Sequence, residues 1–198
     1  EILDMIDRGG NEFSEIAGTI VTDDKGHIKM GPMRELITDL DTLPYPAWDL
    51  FPIEEVYFPN SQKLFSEEGM LAKRRLDINA SYGCSLICRY CYHLGIAGDM
   101  RYDTNSGENK DEVKISFDEP GNYSRTIRYH SPEYVVDMAK HMYDKYKIDF
   151  IGFLDENLMT MDKSSGRTWM KGICEGFHEK GLAPKYAKNG KLKSGIHW

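Results

Sequence analysis

The sequence predicts an α/β protein whose second half is built from right-handed βαβ units around a parallel sheet. Three observations predict it. Leu76–Tyr82 alternates apolar and polar residues as a half-buried strand does, Ser131–Tyr146 carries the grammar of a capped amphipathic helix, and Ile148–Leu154 reads as a buried strand. A second helix is expected from about Ser164 to Lys180, stopped by Gly181 and Pro184, with a closing strand at Gly195–Trp198. Strand, loop, helix, strand, helix, strand is the order that right-handed crossovers produce, and ligands of such sheets gather where the strands end. Both Cys84–Cys91 and Asp155–Asn157 fall at such ends, which favours one shared site.

Taken in order, Ile2, Leu3 and Ile6 share one face of a short helix that Gly9-Gly10 ends. Ala17–Thr22, the turn Asp23–Gly26 and His27–Met30 form a β-hairpin in which His27 is an exposed strand residue. Five prolines between 31 and 60 exclude a long helix and predict an extended linker. Its apolar content, notably Leu43, Trp48, Leu50 and Phe51, predicts that it is docked. The basic run Lys73–Arg75 reads as a solvated strand edge. Residues 92–128 are polar and charged and are expected to form a long surface insertion, either disordered or reaching over the active site as a lid, with a short strand at Val113–Phe117. In the next helix Ser131 caps, Pro132 fills the first turn, and Val135, Met138, Ala139 and Met142 line the buried side. Cys174, among Trp169, Met170, Ile173 and Phe177, is expected to be a buried small hydrophobe.

The chemistry concentrates in Cys84-Ser-Leu-Ile-Cys88-Arg-Tyr-Cys91, spaced C-x3-C-x2-C, with Gly83 supplying a permissive turn before it. Three close thiolates suit an iron-sulfur cube, which can leave one iron open, better than structural zinc, which needs four closed ligands. Cys88 and Cys91 alone form a C-x-x-C, so half a zinc site or a redox pair stays as the alternative. His93 is awkwardly close for a fourth tetrahedral ligand.

C-x3-C-x2-C with an aromatic, Tyr90, before the third cysteine resembles the signature of radical S-adenosylmethionine (SAM) enzymes. The resemblance implies a partial (β/α) TIM-like barrel and a [4Fe-4S] cluster on Cys84, Cys88 and Cys91, with SAM on the fourth iron through its amino and carboxylate groups. It implies reductive cleavage of SAM by an electron from a reductant such as flavodoxin or ferredoxin, giving a 5'-deoxyadenosyl radical that abstracts hydrogen from a small-molecule substrate. Tyr90 would lie near the adenine, or simply pack beneath the loop. In the family a Gly-Gly-Glu phrase often touches the SAM amino group. This chain has Asp155-Glu156-Asn157, whose carboxylates can accept from an ammonium or can cap the following helix. No catalytic residue that meets substrate is assignable.

Asp39–Phe51, with its Leu-Pro-Tyr-Pro-Ala-Trp-Asp phrase, resembles the connector of radical SAM proteins that carry an N-terminal cobalamin-binding domain. A plain interdomain strap is the alternative. The family's cobalamin-contacting Asp-x-His-x-x-Gly motif is not in this chain, so cobalamin is implied only for the whole protein. The expected organisation is residues 1–30 as the tail of a cobalamin-binding-type domain, 31–72 as docked linker and 73–198 as the first half of a radical SAM core. The resemblance spans 32–198, and about 125 residues follow Lys73 where a full barrel takes about 250. With no initial methionine and no tail, the chain is expected to be an excerpt.

Composition bounds the function classes. At 198 residues with 40% hydrophobic and 29% charged residues, one domain and a fraction can bury a core. The net charge of −7 argues against a general nucleic-acid binder. No run approaches the roughly 18 apolar residues of a membrane span and no signal peptide opens the chain, so a cytoplasmic location is expected. Three of four cysteines in one loop argue against a disulfide framework and for reduced thiols. The reaction implied by the resemblance is methyl transfer at unactivated carbon or phosphorus, or cyclisation. A member without cobalamin, such as a methylthiotransferase, and a non-catalytic iron-sulfur or zinc protein are the competing readings.

Overall fold

Two short strands pairing in parallel organise the larger part of the molecule. The computed structural model describes residues 1–32, 34–60, 73–84, 100–103, 114–117 and 127–198. They divide into Glu1–Thr38 with Leu94–Ser124, and Asp39–His93 with Arg125–Trp198.

In the first unit, α1 (Ile2–Asp7) ends where Gly9 turns to φ +72°. Its apolar face, Ile2, Leu3 and Ile6, is exposed. Strands β1 (Ile20–Thr22) and β2 (Ile28–Met30) form the expected antiparallel hairpin, with Ile20 opposite Met30. Asp23 nucleates the turn: its Oδ1 accepts from the backbone N–H groups of Lys25 and His27, each at 2.9 Å. His27 is half exposed at the hairpin, with Nδ1 3.0 Å from Asp23 Oδ2. The expected strand near 113–117 is part of a second antiparallel hairpin, β5 (Met100–Asp103) with β6 (Lys114–Phe117). The first of those strands was not expected within the insertion.

In the second unit, β3 (Arg75–Ile78) runs parallel to β8 (Phe150–Phe153), and His197 bridges in parallel to Phe150 on the far side of β8. Helix α2 (Pro132–Tyr146) joins the two layers, capped as predicted by Ser131, whose hydroxyl accepts from Tyr134 N–H. Its Val135, Met138, Ala139 and Met142 are buried with Leu76, Ile78 and Ile151 of the sheet in one core. The alternation along β3 therefore puts Leu76 and Ile78 toward the helices and Arg75 and Asp77 on the other face.

The helix expected over 164–180 starts later, as α4 (Trp169–Glu179), and a separate helix that was not expected, α3 (Leu158–Ser164), precedes it. Gly166 and Arg167 take φ of +70° and +67°, which breaks the α-helical path. The second helix is then restarted by side chains: Ser165 Oγ accepts from Trp169 N–H and Asp162 Oδ1 from Met170 N–H, both at 3.1 Å. It ends in a Schellman arrangement, Leu182 N–H to Phe177 O and Gly181 N–H to His178 O, with Gly181 at φ +69°.

Cys174 is a second correction. It is exposed, not buried. The inward stripe of α4 is Trp169, Ile173 and Phe177, with Gly176 meeting α2 so closely that an added Cβ would stand 2.8 Å from a Val136 methyl. Cys174 follows Ile173 by one residue, about 100° around the helix, and so leaves that stripe.

The single strand read over 76–82 is divided. After Ile78 the chain bends, and β4 (Ser81–Tyr82) pairs antiparallel with β7 (Arg128–Tyr129). A last antiparallel pair, β9 (Lys185–Tyr186) with β10 (Leu192–Ser194), precedes the His197 bridge. The architecture is thus mixed α/β with small sheets, none of which closes into a barrel among the described residues.

The proline-rich segment is docked only in part: Leu50 and Phe51, two of the apolar residues expected to hold it down, are exposed. Leu40, Ile53 and Phe58 are buried, and Tyr45 and Trp48 pack against the core. Asp41 accepts from His130 Nδ1 at 3.1 Å and from Ser131 N–H at 3.0 Å, and the Tyr134 hydroxyl donates to Leu43 O at 2.7 Å. His130 itself stacks on Tyr134, ring centroids 4.2 Å apart. No helix among the described residues is long and apolar enough to cross a membrane.

Candidate cofactor site at the strand ends

The site is assembled where β3 and β8 stop. The last rung between them is Leu154 N–H to Ile78 O at 2.9 Å. One residue beyond it, Asp155 reaches across to the bend after β3: Oδ2 accepts from Ala80 N–H at 3.1 Å and Oδ1 from the Ser81 hydroxyl at 2.5 Å. Ala80 and Ser81 are almost completely buried, so these donors have no access to water. The other side of the bend is held by His130 N–H, which donates to Ala80 O at 2.8 Å. A bend fixed from both sides then delivers Tyr82, buried Gly83 and half-buried Cys84. Gly83 sits at φ +104°, a backbone state that only glycine adopts without strain, so the reading of that residue as the permissive turn holds.

Burial pushes the Asp155 carboxyl above the ordinary carboxylate range, against the opposing pull of the Ser81 and Ala80 donors. The backbone N–H groups of Ser81 and of Asp155 itself also pull on this carboxylate, so it is well supplied with donors from the chain. Of its expected companions, Glu156 is exposed and Asn157 stands at the N-cap position of α3 without a side-chain capping bond. Cys88, Cys91 and Tyr90 lie outside the described residues. The structure therefore brings Cys84 and Asp155 to the same strand ends.

Beside this edge lies a cleft of about 350 Å³ whose walls include Pro44, Trp48, Asn79, Tyr82 and Tyr134. Its walls mix aromatic and apolar side chains with the polar groups of Asp77, Asn79 and His130. Its walls come from the docked strap, the bend after β3, and α2.

Sequence reasoning passed over several residues that shape this region. Ser81 looked like one more alternating strand position, and Asp41 like a linker acid. On the face of β3 away from the helices, Arg75 Nε donates to Asp77 Oδ1 at 2.6 Å, and the Tyr57 hydroxyl donates to Asp77 Oδ2 at 3.3 Å. The Arg75 guanidinium also lies 5.3 Å over the Phe150 ring. Gly152 makes room for this pair, since a Cβ there would stand 2.0 Å from Asp77 Oδ1 and 2.6 Å from Arg75 Nη2. The Arg-x-Asp alternation one strand away from a Phe-Ile-Gly-Phe strand was the only available signal, and it requires the register, Asp77 opposite Gly152, to be read.

Protein-family models, curated proteins and solved structures yield no match to this chain.

Proposed function

We propose that the chain belongs to a radical SAM enzyme of the cobalamin-associated kind, holding a [4Fe-4S] cluster on Cys84, Cys88 and Cys91 and cleaving SAM reductively to start methyl transfer or cyclisation. The observation that carries the reading is the position of Cys84. It follows a bend tied by Asp155 to the end of the neighbouring parallel strand, so the C-x3-C-x2-C loop starts at the edge where a βαβ sheet collects ligands.

The donor set fits the cofactor: three soft thiolates in eight residues match a cube with one iron left for SAM. When bound, the cluster and SAM together supply a carbon radical able to abstract hydrogen. The chain's own part is positional. Asp155 and His130 fix the bend, Gly83 turns the backbone, and the cleft beside Tyr82 offers aromatic walls at the reacting edge. Asp155 is a positioning residue and, with Glu156 and Asn157, the candidate contact for the SAM ammonium, and Tyr90 is assigned to the adenine side. The reductant is of the flavodoxin or ferredoxin type, and cobalamin is attributed to the whole protein only.

Anaerobic reconstitution with iron and sulfide tests the proposal. Broad brown absorption that changes on adding SAM is expected, with Cys88→Ala abolishing it and Cys174→Ala leaving it intact. A chromophore indifferent to SAM would indicate an electron-transfer protein, and stoichiometric zinc without a chromophore a structural metal site.

A further inference from the structure

At the opposite end of the parallel strands from Cys84, a cleft of about 410 Å³ opens among Lys73, Tyr143, Lys147, Lys191, Lys193 and Ser194. Four of those six side chains are cationic in a chain whose net charge is −7. One acid, Asp149, also lines the cleft, and its carboxylate is turned to the backbone: it accepts from Lys73 N–H at 2.9 Å and Arg74 N–H at 2.9 Å. Lys147 Nζ donates to the Asp144 carbonyl at 2.6 Å, a neutral partner that leaves its charge uncompensated. Among the described residues neither the Lys191 nor the Lys193 ammonium has a carboxylate within ion-pair distance, although the acids outnumber the bases in the chain. The Tyr143 and Ser194 hydroxyls likewise have no acceptor among the described residues. Among the described residues the cleft is therefore rich in donors and poor in acceptors, and its concave walls concentrate positive charge.

We propose that this cleft is a binding site for a multiply charged phosphate group, carried by a small molecule, separate from the strand-end site. Phosphate offers several acceptor oxygens and at least two negative charges to the lysines and hydroxyls at once, which a single carboxylate cannot. A concave cleft of this size takes a small anion and not the flat face of an acidic protein. The backbone supports the arrangement: the β9–β10 hairpin that presents Lys191 and Lys193 is fastened by Ile196 N–H to Leu182 O at 2.8 Å and His197 N–H to Asp149 O at 2.9 Å.

Isothermal titration at constant ionic strength tests it with inorganic pyrophosphate, ADP, adenosine and chloride as the probes. Saturable pyrophosphate binding, weakened at least tenfold in a Lys191→Ala/Lys193→Ala variant of unchanged circular dichroism, is expected. Equal affinity for pyrophosphate and ADP assigns the site to the phosphate alone, and tighter ADP to a nucleotide. Adenosine binding as well as ADP, pyrophosphate binding undiminished in the double variant, or heats that merely follow salt concentration would each overturn the proposal. The readout needs no cluster, so it is independent of the function proposed for the cysteine loop.

Discussion

Asp155→Ala removes the clamp on which the placement of Cys84 depends. Two hydrogen bonds to one carboxylate are lost, and both donors, Ala80 N–H and the Ser81 hydroxyl, remain buried without an acceptor. A hydrogen bond to a charged group contributes about 1.5–3 kcal/mol and an orphaned buried donor costs about 1–3 kcal/mol, while removing a partly buried carboxylate recovers part of its desolvation. The net expectation is a loss of about 2–4 kcal/mol. Asp155→Asn keeps one acceptor oxygen and should cost about 1 kcal/mol. Urea unfolding measures both, with Ser81→Ala completing a cycle whose coupling energy should be about 1–2 kcal/mol. The sign of the pH dependence is fixed by the raised pKa: the folded chain holds the Asp155 proton more tightly than the unfolded chain. Its stabilising share is full below about pH 4 and falls as pH rises through the folded value, so the advantage of wild type over Asp155→Asn shrinks in that direction. A loss under about 0.5 kcal/mol for Asp155→Ala, or additive single and double variants, would refute the clamp.

Two further perturbations follow from the same unit. Gly152→Ala forces a methyl into the Arg75–Asp77 pair and should cost about 2–3 kcal/mol, read as a melting temperature lower by about 5–10 °C; in an Asp77→Ala background the penalty should fall. Asp41→Asn should destabilise by about 1 kcal/mol at neutral pH and abolish a pH effect. Burial alone would raise the Asp41 carboxyl, but donors from Ser131 and His130 outweigh it and hold it below the ordinary range. That contribution is present above about pH 4 and is lost as pH falls through the depressed value, which acid titration of the two proteins followed by tryptophan fluorescence will show.

Local signals carried most of what could be read in the chain beforehand. Ser131-Pro132-Glu133 announces a helix start because capping is settled within four residues, and the 23–26 turn is legible because Asp and Gly act on their own backbone. Cys174 was expected inside because it stands four residues after Met170 and three before Phe177, yet the buried stripe centres on Trp169, Ile173 and Phe177 and Cys174 lies one step off it. The helix start at Trp169 lies later than the apolar pattern suggested, because Ser164–Thr168 is rich in turn formers and Gly166 and Arg167 take positive φ, while the short helix at Leu158–Ser164 left no clear periodic signal. Least legible were contacts spanning long separations. Asp155 with Ser81 joins positions 74 residues apart, and Asp41 with His130 joins positions 89 apart, so no pattern within either segment announces them. The three cysteines stood out from spacing alone, whereas the part of the site that aims them is a tertiary property.

The β3–β8 pair has one oily side and one salted side. Helices cover the first; the second carries a guanidinium, a carboxylate and a phenol in mutual contact, with bare glycine backbone between them. Arg75 and Asp77 keep little exposure there, so their charges rest on each other and on the Tyr57 hydroxyl in place of bulk water.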